Sequence, residues 1–510
     1  MPDKLNVILI QLDSLNRHFL TCYGNDWVQA PNLAAFARKA AIFDNHFTGS
    51  LPCMPARREI WAGTQEFWWR GWGPLEPWDQ PIAYLARQAE NPITTHLVTD
   101  HYHFFEWGSH NYNYDFHGYD YIRGHEYDNW RSDPIRTIPD WATKMVERRT
   151  DEVLLYIRNV QDFEREEDFF APKVMQTTAE WLDRNHAQEQ FYLHVDSFDV
   201  HEPFHVPEPY RSLYTDSDYR EHNPWPAYGR VDEGPTALTP DEVAWVRAQF
   251  AGKLTMVDRW LGRVFERLDR YDLWERTCVI VTTDHGHYLG DHGWMGKPNA
   301  PLYHTLCHIP LLVWHPGGAH NGGRVSAMTQ TIDLYATVVE LLGGSPPRTE
   351  NVHSRSFAPV ILGQTDTHRD SALYAYYNQR IGLTSGEWTL LRYHDPDAAP
   401  PLIYTQQIEQ TAGNGYDLRE RRRLEFEDLE PGRFIPGIQT PVWRRQLRYD
   451  TGRHQSGTRD DLLFHNLSDP EQTHNLAAER PDVVQAMVAK LRAHAQAVQA
   501  PEEQFKRLRL

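Results

Sequence analysis

Two short apolar runs, each stopping on an aspartate, constrain this chain more than any other feature. Asn6-Val7-Ile8-Leu9-Ile10-Gln11-Leu12 ends at Asp13, and Cys278-Val279-Ile280-Val281-Thr282-Thr283 ends at Asp284. Apolar runs of this length, bounded by polar residues, read as strands buried on both faces. Helical patterning runs from about Asp241 to Leu268 and from Pro31 to Ala41, where the proline suits a first turn. Tyr192 to Val195 and Ile309 to Trp314 read as further strands, and Thr331 to Leu342 as a helix. Strands alternating with helices predict an α/β fold: a large mixed, mostly parallel sheet sandwiched by helices. In such sheets ligands gather beyond the carboxyl ends of the strands, so Asp13 and Asp284 are placed to share one divalent cation. Either aspartate alone is more simply a turn or N-cap residue.

The pattern changes near residue 365, which divides a catalytic region (1–365) from a smaller C-terminal α+β domain (366–510). Ala372 to Tyr376 and Ile381 to Tyr393, with a turn at Ser385-Gly386, predict an antiparallel sheet there. Residues 395–460 are rich in proline, glycine and charge and read as an insertion, the candidate contact for a homo-oligomer. Its basic run Arg419 to Arg423 reads as a solvated helix face. Pro481 to Val498 closes the chain as an amphipathic helix.

The net charge of −19 over 510 residues argues against a nucleic-acid partner and against docking on an anionic membrane. No stretch is long enough to span a bilayer, and the first apolar run is too short for a signal peptide. Four cysteines do not make a disulfide framework in a chain this long, and a cytoplasmic location is the expectation.

Cys53-Met54-Pro55-Ala56-Arg57, followed by Gly63, sets cysteine, proline and arginine at C-x-P-x-R spacing. Read alone, it fits a buried cysteine before a proline turn. In company it resembles the signature of the type I sulfatases, within the alkaline phosphatase superfamily. Asn6 to Asn25 with Pro31-Asn32-Leu33 is similar to that family's opening strand and metal aspartate. Gly118-Tyr119-Asp120, Asp196 to Pro203 with His201, and Asp284-His285-Gly286 also match, as do Gly290-Asp291-His292-Gly293 and Lys297. The C-terminal Leu463 to Glu471 with Asn475-Leu476 completes the ordered series.

The resemblance implies a hydrolase of sulfate esters, of the arylsulfatase type. Cys53 would be converted to formylglycine by a formylglycine-generating enzyme or equivalent maturase. Its hydrated diol would attack a small anionic ester. Asp13, Asp284, His285 and the residue at 53 would hold one divalent cation, which lowers the pKa of the diol and polarises the ester. Arg57 would add positive field and Lys297 would contact a sulfuryl oxygen. His201 would protonate the leaving group, and His103 would deprotonate the covalent hemiacetal ester so that sulfate is expelled. His101 stands where the family's K-x-H motif has lysine, which makes that charge pH-dependent.

Two further departures bear on metal and substrate. Ser14 replaces a frequent second aspartate, and His285 follows Asp284 where asparagine is common. A nitrogen ligand and one fewer carboxylate shift the expected ion from calcium towards manganese or zinc. Aspartate-histidine pairs also occur in phosphonate monoester hydrolases, so the alternative reading is a phosphonate monoester or phosphodiester hydrolase with the same machinery. Trp68, Trp69, Trp72 and Trp78 read as core packing ahead of an aromatic pocket. His101-Tyr102-His103-Phe104-Phe105 fits an aromatic core strand equally well.

Overall fold

The computed structural model describes residues 4–105, 112–148, 151–297, 301–395, 397–399, 401–407, 429–446 and 460–510. Its main sheet has eight strands: β1 (Asn6–Leu12), β2 (Ala41–Phe47), β3 (Thr94–Thr99), β4 (Gly118–Tyr121), β5 (Phe191–Ser197), β6 (Thr277–Thr282), β7 (Leu311–Trp314) and β8 (Arg324–Gln330). They lie in the order β8-β2-β7-β6-β1-β5-β3-β4. All pairings are parallel except the two made by β7, so the sheet is mixed and mostly parallel, as expected.

Central β1 is buried on both faces, and its alternation assigns each side chain to a layer. Ile8, Ile10 and Leu12 pack with helices α1 (Pro31–Lys39), α3 (Phe170–Asn185) and α4 (Pro240–Arg270). Val7 and Leu9 pack with α2 (Cys53–Ala62) and α5 (Asp333–Leu341). Thr239 and Glu242 form a capping box that starts the 31-residue α4, with Pro240 in its first turn. Gly63 ends α2 at φ +70°, where a Cβ would come within 2.5 Å of the Tyr335 ring.

A second sheet joins β9 (Ala372–Tyr376), β10 (Ile381–Thr384), β11 (Trp388–Arg392) and β12 (Leu462–His465) in antiparallel pairs. Its edge also accepts Ser50-Leu51, parallel to β9. The segment just before Cys53 is therefore clamped to the C-terminal sheet, while α2 itself packs on the main one. Helix α6 (Pro481–Ala497) covers the second sheet through Met487, Leu491 and Ala495. Trp68 and Trp69 are buried in the same cluster, and Trp78 packs against it, so these three are core residues.

The run 101–105 is not a strand. After β3 it winds into a single helical turn, Tyr102–Phe105, which brings His101 and His103 towards the strand ends. Of the expected insertion, residues 408–428 and 447–459 lie outside the described residues, and with them Arg419 to Arg423. Leu402–Thr405, Glu430–Gly432 and Val442–Gln446 form a small antiparallel sheet. Among the described residues no helix is long and apolar enough to cross a membrane. All four cysteines are free.

Candidate active site

β5, β1 and β6 are neighbours with parallel register, Asp196 opposite Gln11 and Gln11 opposite Thr282. Asp196, Asp13 and Asp284 therefore emerge side by side at the carboxyl ends of three central strands. All three carboxylates are buried, and one cation ties them together. Arg57 reaches Asp13 at 3.0 Å and Asp284 at 2.7 Å. It grips Asp196 with two parallel N–H donors at 2.8 and 2.7 Å, the fork geometry suited to guanidinium.

Cys53 is the first residue of α2, where unpaired backbone N–H groups favour negative charge. Its Sγ lies 3.3 Å from His285 Nε2 and 3.9 Å from Asp13 Oδ1. His285 Nδ1 donates to the Gly286 carbonyl at 2.9 Å, which fixes the tautomer and leaves the Nε2 lone pair facing Cys53. Asp284 Oδ1 accepts from the backbone of Ser14 at 3.2 Å and of His285 at 2.9 Å. Lys297 completes the group, 3.7 Å from Asp13 Oδ1 and 3.2 Å from Ser14 Oγ. Its own carbonyl accepts from Tyr376 at 2.6 Å, a contact supplied by the second sheet.

The electrostatics follow from burial and these pairings. Burial alone would raise the Asp13 carboxyl, but Lys297 and Arg57 outweigh it and hold the group well below the ordinary carboxylate range. Burial raises Asp196 to about 6 against the pull of Arg57. Burial opposes the Lys297 charge, yet Cys53 and Asp13 keep its pKa above the usual lysine value. Burial and then Asp13 push the Cys53 thiol well above its ordinary value. As an unmodified thiol, Cys53 is protonated and a poor nucleophile.

The histidines surround this core. His101 Nε2 is 3.5 Å from Asp13 Oδ2, and burial followed by Arg57 holds the imidazole well below its normal pKa. It is therefore no replacement for a permanent lysine cation. His103 sits one ring farther out, 5.1 Å from the His101 centroid, edge-on to Trp72 at 4.6 Å and 3.8 Å from Glu126. Trp72, unlike its three neighbours, thus packs at the site. His201 stacks on Phe198 at 4.2 Å and donates through Nδ1 to the Glu202 carbonyl at 2.7 Å. Burial and then Lys297 hold its pKa well below the usual imidazole value. His287 is buried beside Glu202, whereas His292 stacks on Tyr303 in a loop.

A divalent cation suits this donor set. Asp13, Cys53, Asp284 and His285 each present one ligand atom, all within 4.8 Å of one another and all buried. Two carboxylates, an imidazole and a cysteine sulfur in so small a volume are a donor set of the kind that binds divalent ions.

Residues 5–345, which include every residue of the cluster, match the protein family described as "Sulfatase". This chain belongs to the sulfatase family. A second family, "N-sulphoglucosamine sulphohydrolase, C-terminal", matches residues 290–406. The sulfatase is 26% identical to the multifunctional alkaline phosphatase superfamily protein PehA of Trinickia caryophylli, across 79% of this chain and 89% of that one. It is 24% identical to the choline-sulfatase of Rhizobium meliloti (strain 1021), across 88% and 95%. Its fold matches the phosphonate monoester hydrolase of Agrobacterium radiobacter with a TM-score of 0.63 at 20% identity, covering 97% and 96% of the two chains. The family generally acts through a formylglycine and a divalent metal.

Of the candidate residues of the sulfatase, all but His103 and His201 lie in or directly against the carboxylate cluster, and His201 stands with Glu202 beside it. Two partners escaped the sequence reading. Asp196 looked like the start of a histidine loop, although it ends an apolar run as Asp13 and Asp284 do. Lys253 lies inside a long amphipathic helix, and nothing in its local pattern separates it from a solvated lysine.

Proposed function

We propose that this protein hydrolyses sulfate esters of the arylsulfatase type through a formylglycine made from Cys53. The observation that carries the reading is the position of Cys53 at the start of α2, facing His285 and Asp13 with Arg57 and Lys297 alongside. Hydrated formylglycine supplies the attacking oxygen, and a divalent cation on Asp13, Asp284, His285 and residue 53 supplies Lewis acidity.

The remaining residues bind, orient and move protons. Lys297 and Arg57, both buried, stabilise negative charge that builds on the ester oxygens. Arg57, held by Asp196, keeps its guanidinium fixed while the reaction proceeds. His201 has Nδ1 committed to a carbonyl, so only Nε2 can give a proton to the leaving oxygen. In the free protein its imidazole is neutral, and the arriving ester anion provides the counter-charge that lets it hold a second proton. His103, beside Glu126, is the base for release of the product, and His101 braces Asp13.

The Asp284-His285 pair favours a second substrate class, phosphonate monoesters or phosphodiesters. The metal is calcium, manganese or zinc. Two-domain organisation with a boundary near residue 365, a maturase partner, a cytoplasmic location and a homo-oligomer contact through 395–460 belong to the same proposal. Steady-state kinetics on matched aryl sulfate, phosphonate monoester and phosphodiester substrates test it, together with peptide mass spectrometry around Cys53. A larger kcat/KM for the phosphorus esters would replace the sulfatase reading with the second. An intact thiol in protein from the native host, with no turnover, would remove both.

A further inference from the structure

Behind the imidazole of His201 lies a buried polar cluster that the reaction does not touch. Lys253, midway along α4, is only 2% exposed and points its ammonium into the loop that follows β5. An ammonium carries three N–H donors, and here each has its own acceptor. They are the His201 carbonyl at 2.6 Å, the Pro203 carbonyl at 3.0 Å and Asp199 Oδ1 at 2.5 Å. Asp199 is anchored in turn. Its Oδ1 accepts from His125 Nε2 at 3.1 Å, and its Oδ2 from the Ala171 backbone in the first turn of α3. Asp100, buried beside them at the end of β3, accepts from the Phe198 backbone at 2.6 Å.

Beyond balancing Asp199, the two remaining donors of this buried ammonium are satisfied by the main chain of the His201 loop. Their targets are the main-chain carbonyls of His201 itself and of Pro203, on either side of Glu202. We propose that Lys253 is the positioning residue of His201, fixing the backbone from 201 to 203 so that Nε2 stays aimed at the departing oxygen. The inference rests on the functional reading above, with His201 as the acid.

The step it supports balances as follows. The attacking hydroxyl at position 53 gives up its proton to solvent, its oxygen bonds to sulfur, and the bond between sulfur and the ester oxygen breaks with its electron pair on that ester oxygen. Nε2–H of His201 gives its proton to the departing oxygen, which leaves as the alcohol. Help of this kind matters in proportion to the basicity of the leaving group, and is worth about 100-fold or more for the poorest.

The experiment compares wild type and Lys253→Met on aryl sulfates whose phenols span acidic nitrophenols to unsubstituted phenol, with folding checked by circular dichroism. Expected is a loss of about 100-fold in kcat/KM on phenyl sulfate and less than about 5-fold on the nitrophenyl esters. His201→Ala should show the same steepened dependence, and adding Lys253→Met to it should steepen it no further. Lys253→Met leaves Asp199 unpaired, so Lys253→Met/Asp199→Asn, which removes both charges, carries the test if the single variant fails to fold. An equal loss on every ester, or none, in whichever variant folds would overturn the assignment. Absence of wild-type turnover on any aryl sulfate would instead remove the functional reading on which it rests.

Discussion

Replacing Glu59 by glutamine should make the protein more stable at alkaline pH and leave it nearly unchanged in acid. Glu59 lies on α2 and is buried. Ser50 Oγ donates to its Oε1, and Thr331 Oγ1 approaches Oε2 at 3.5 Å. Among the described residues no arginine forms a salt bridge with it, Arg369 acting only from a distance, and a Cβ at Gly49 would come within 1.8 Å of Oε2, so main chain closes that side. Burial pushes its pKa from 4.5 to about 8. A carboxyl with a raised pKa in the fold keeps a proton that the unfolded chain releases, so stability falls as pH rises from about 4.5 to about 8. The full difference is about 5 kcal/mol at 1.36 kcal/mol per pKa unit. An unfolding entropy of roughly 2.1 cal/mol/K per residue gives about 1 kcal/mol/K for a chain of this length, hence a shift of about 5 °C. Glutamine keeps the shape and has no proton to lose. Thermal melts of wild type and Glu59→Gln between pH 5 and 8.5 should therefore diverge, the variant gaining about 5 °C at the upper end. Melting curves separated by the same interval at every pH would refute the reasoning.

Three further outcomes follow from the site. Asp196→Asn releases the bidentate grip on Arg57 and should cost about 10–100-fold in kcat/KM or in metal affinity, as removal of a group that orients ligands generally does; unchanged kinetics and unchanged metal titration would count against it. Chelation should abolish turnover, and adding back manganese, calcium or zinc separately should raise the melting temperature by about 3 °C at a hundredfold excess over Kd. A melting curve that ignores all three ions would dismiss the four-residue metal site. Cys53→Ala should lose turnover entirely while keeping the circular dichroism of the wild type, and residual activity in purified variant would remove Cys53 from the mechanism.

Legibility in the sequence followed hydrophobic continuity. β1, β6 and α4 were readable because they are central or long, and burial on both faces leaves an unbroken apolar signal. β3 (Thr94-Thr95-His96-Leu97-Val98-Thr99) and β2 (Ala41 to Phe47, with Asp44-Asn45-His46) are interrupted by polar residues and carry no such pattern. Likewise α3 went unread, although its Trp181 and Leu182 are core residues. In the site, Asp13, Asp284 and His285 were legible as residues that end strands, and Cys53 through its spacing to Pro55 and Arg57. Asp196 and Lys253 were not. Their roles depend on which strand lies beside which and on which helix face meets a loop 50 residues away, and a local pattern encodes neither.

Charge explains why the same residues leave sulfate and phosphonate so hard to separate. Three buried carboxylates, Asp13, Asp196 and Asp284, face two permanent cations, Arg57 and Lys297, which leaves one net negative charge. A divalent ion turns that into one net positive charge, and a singly charged substrate brings the site to neutrality. The proton carried by His201 and the one given up by the attacking hydroxyl cancel in this count. A buried charge imbalance is costly, so with an ion held there the strand-end carboxylates and their two cations would favour substrates with one negative charge at the reacting centre. Sulfate monoesters, phosphonate monoesters and phosphodiesters all meet that condition, and a dianionic phosphate monoester does not. Discrimination among the first three must then come from size and contacts beyond the cluster, where Trp72, Glu126 and Glu202 stand.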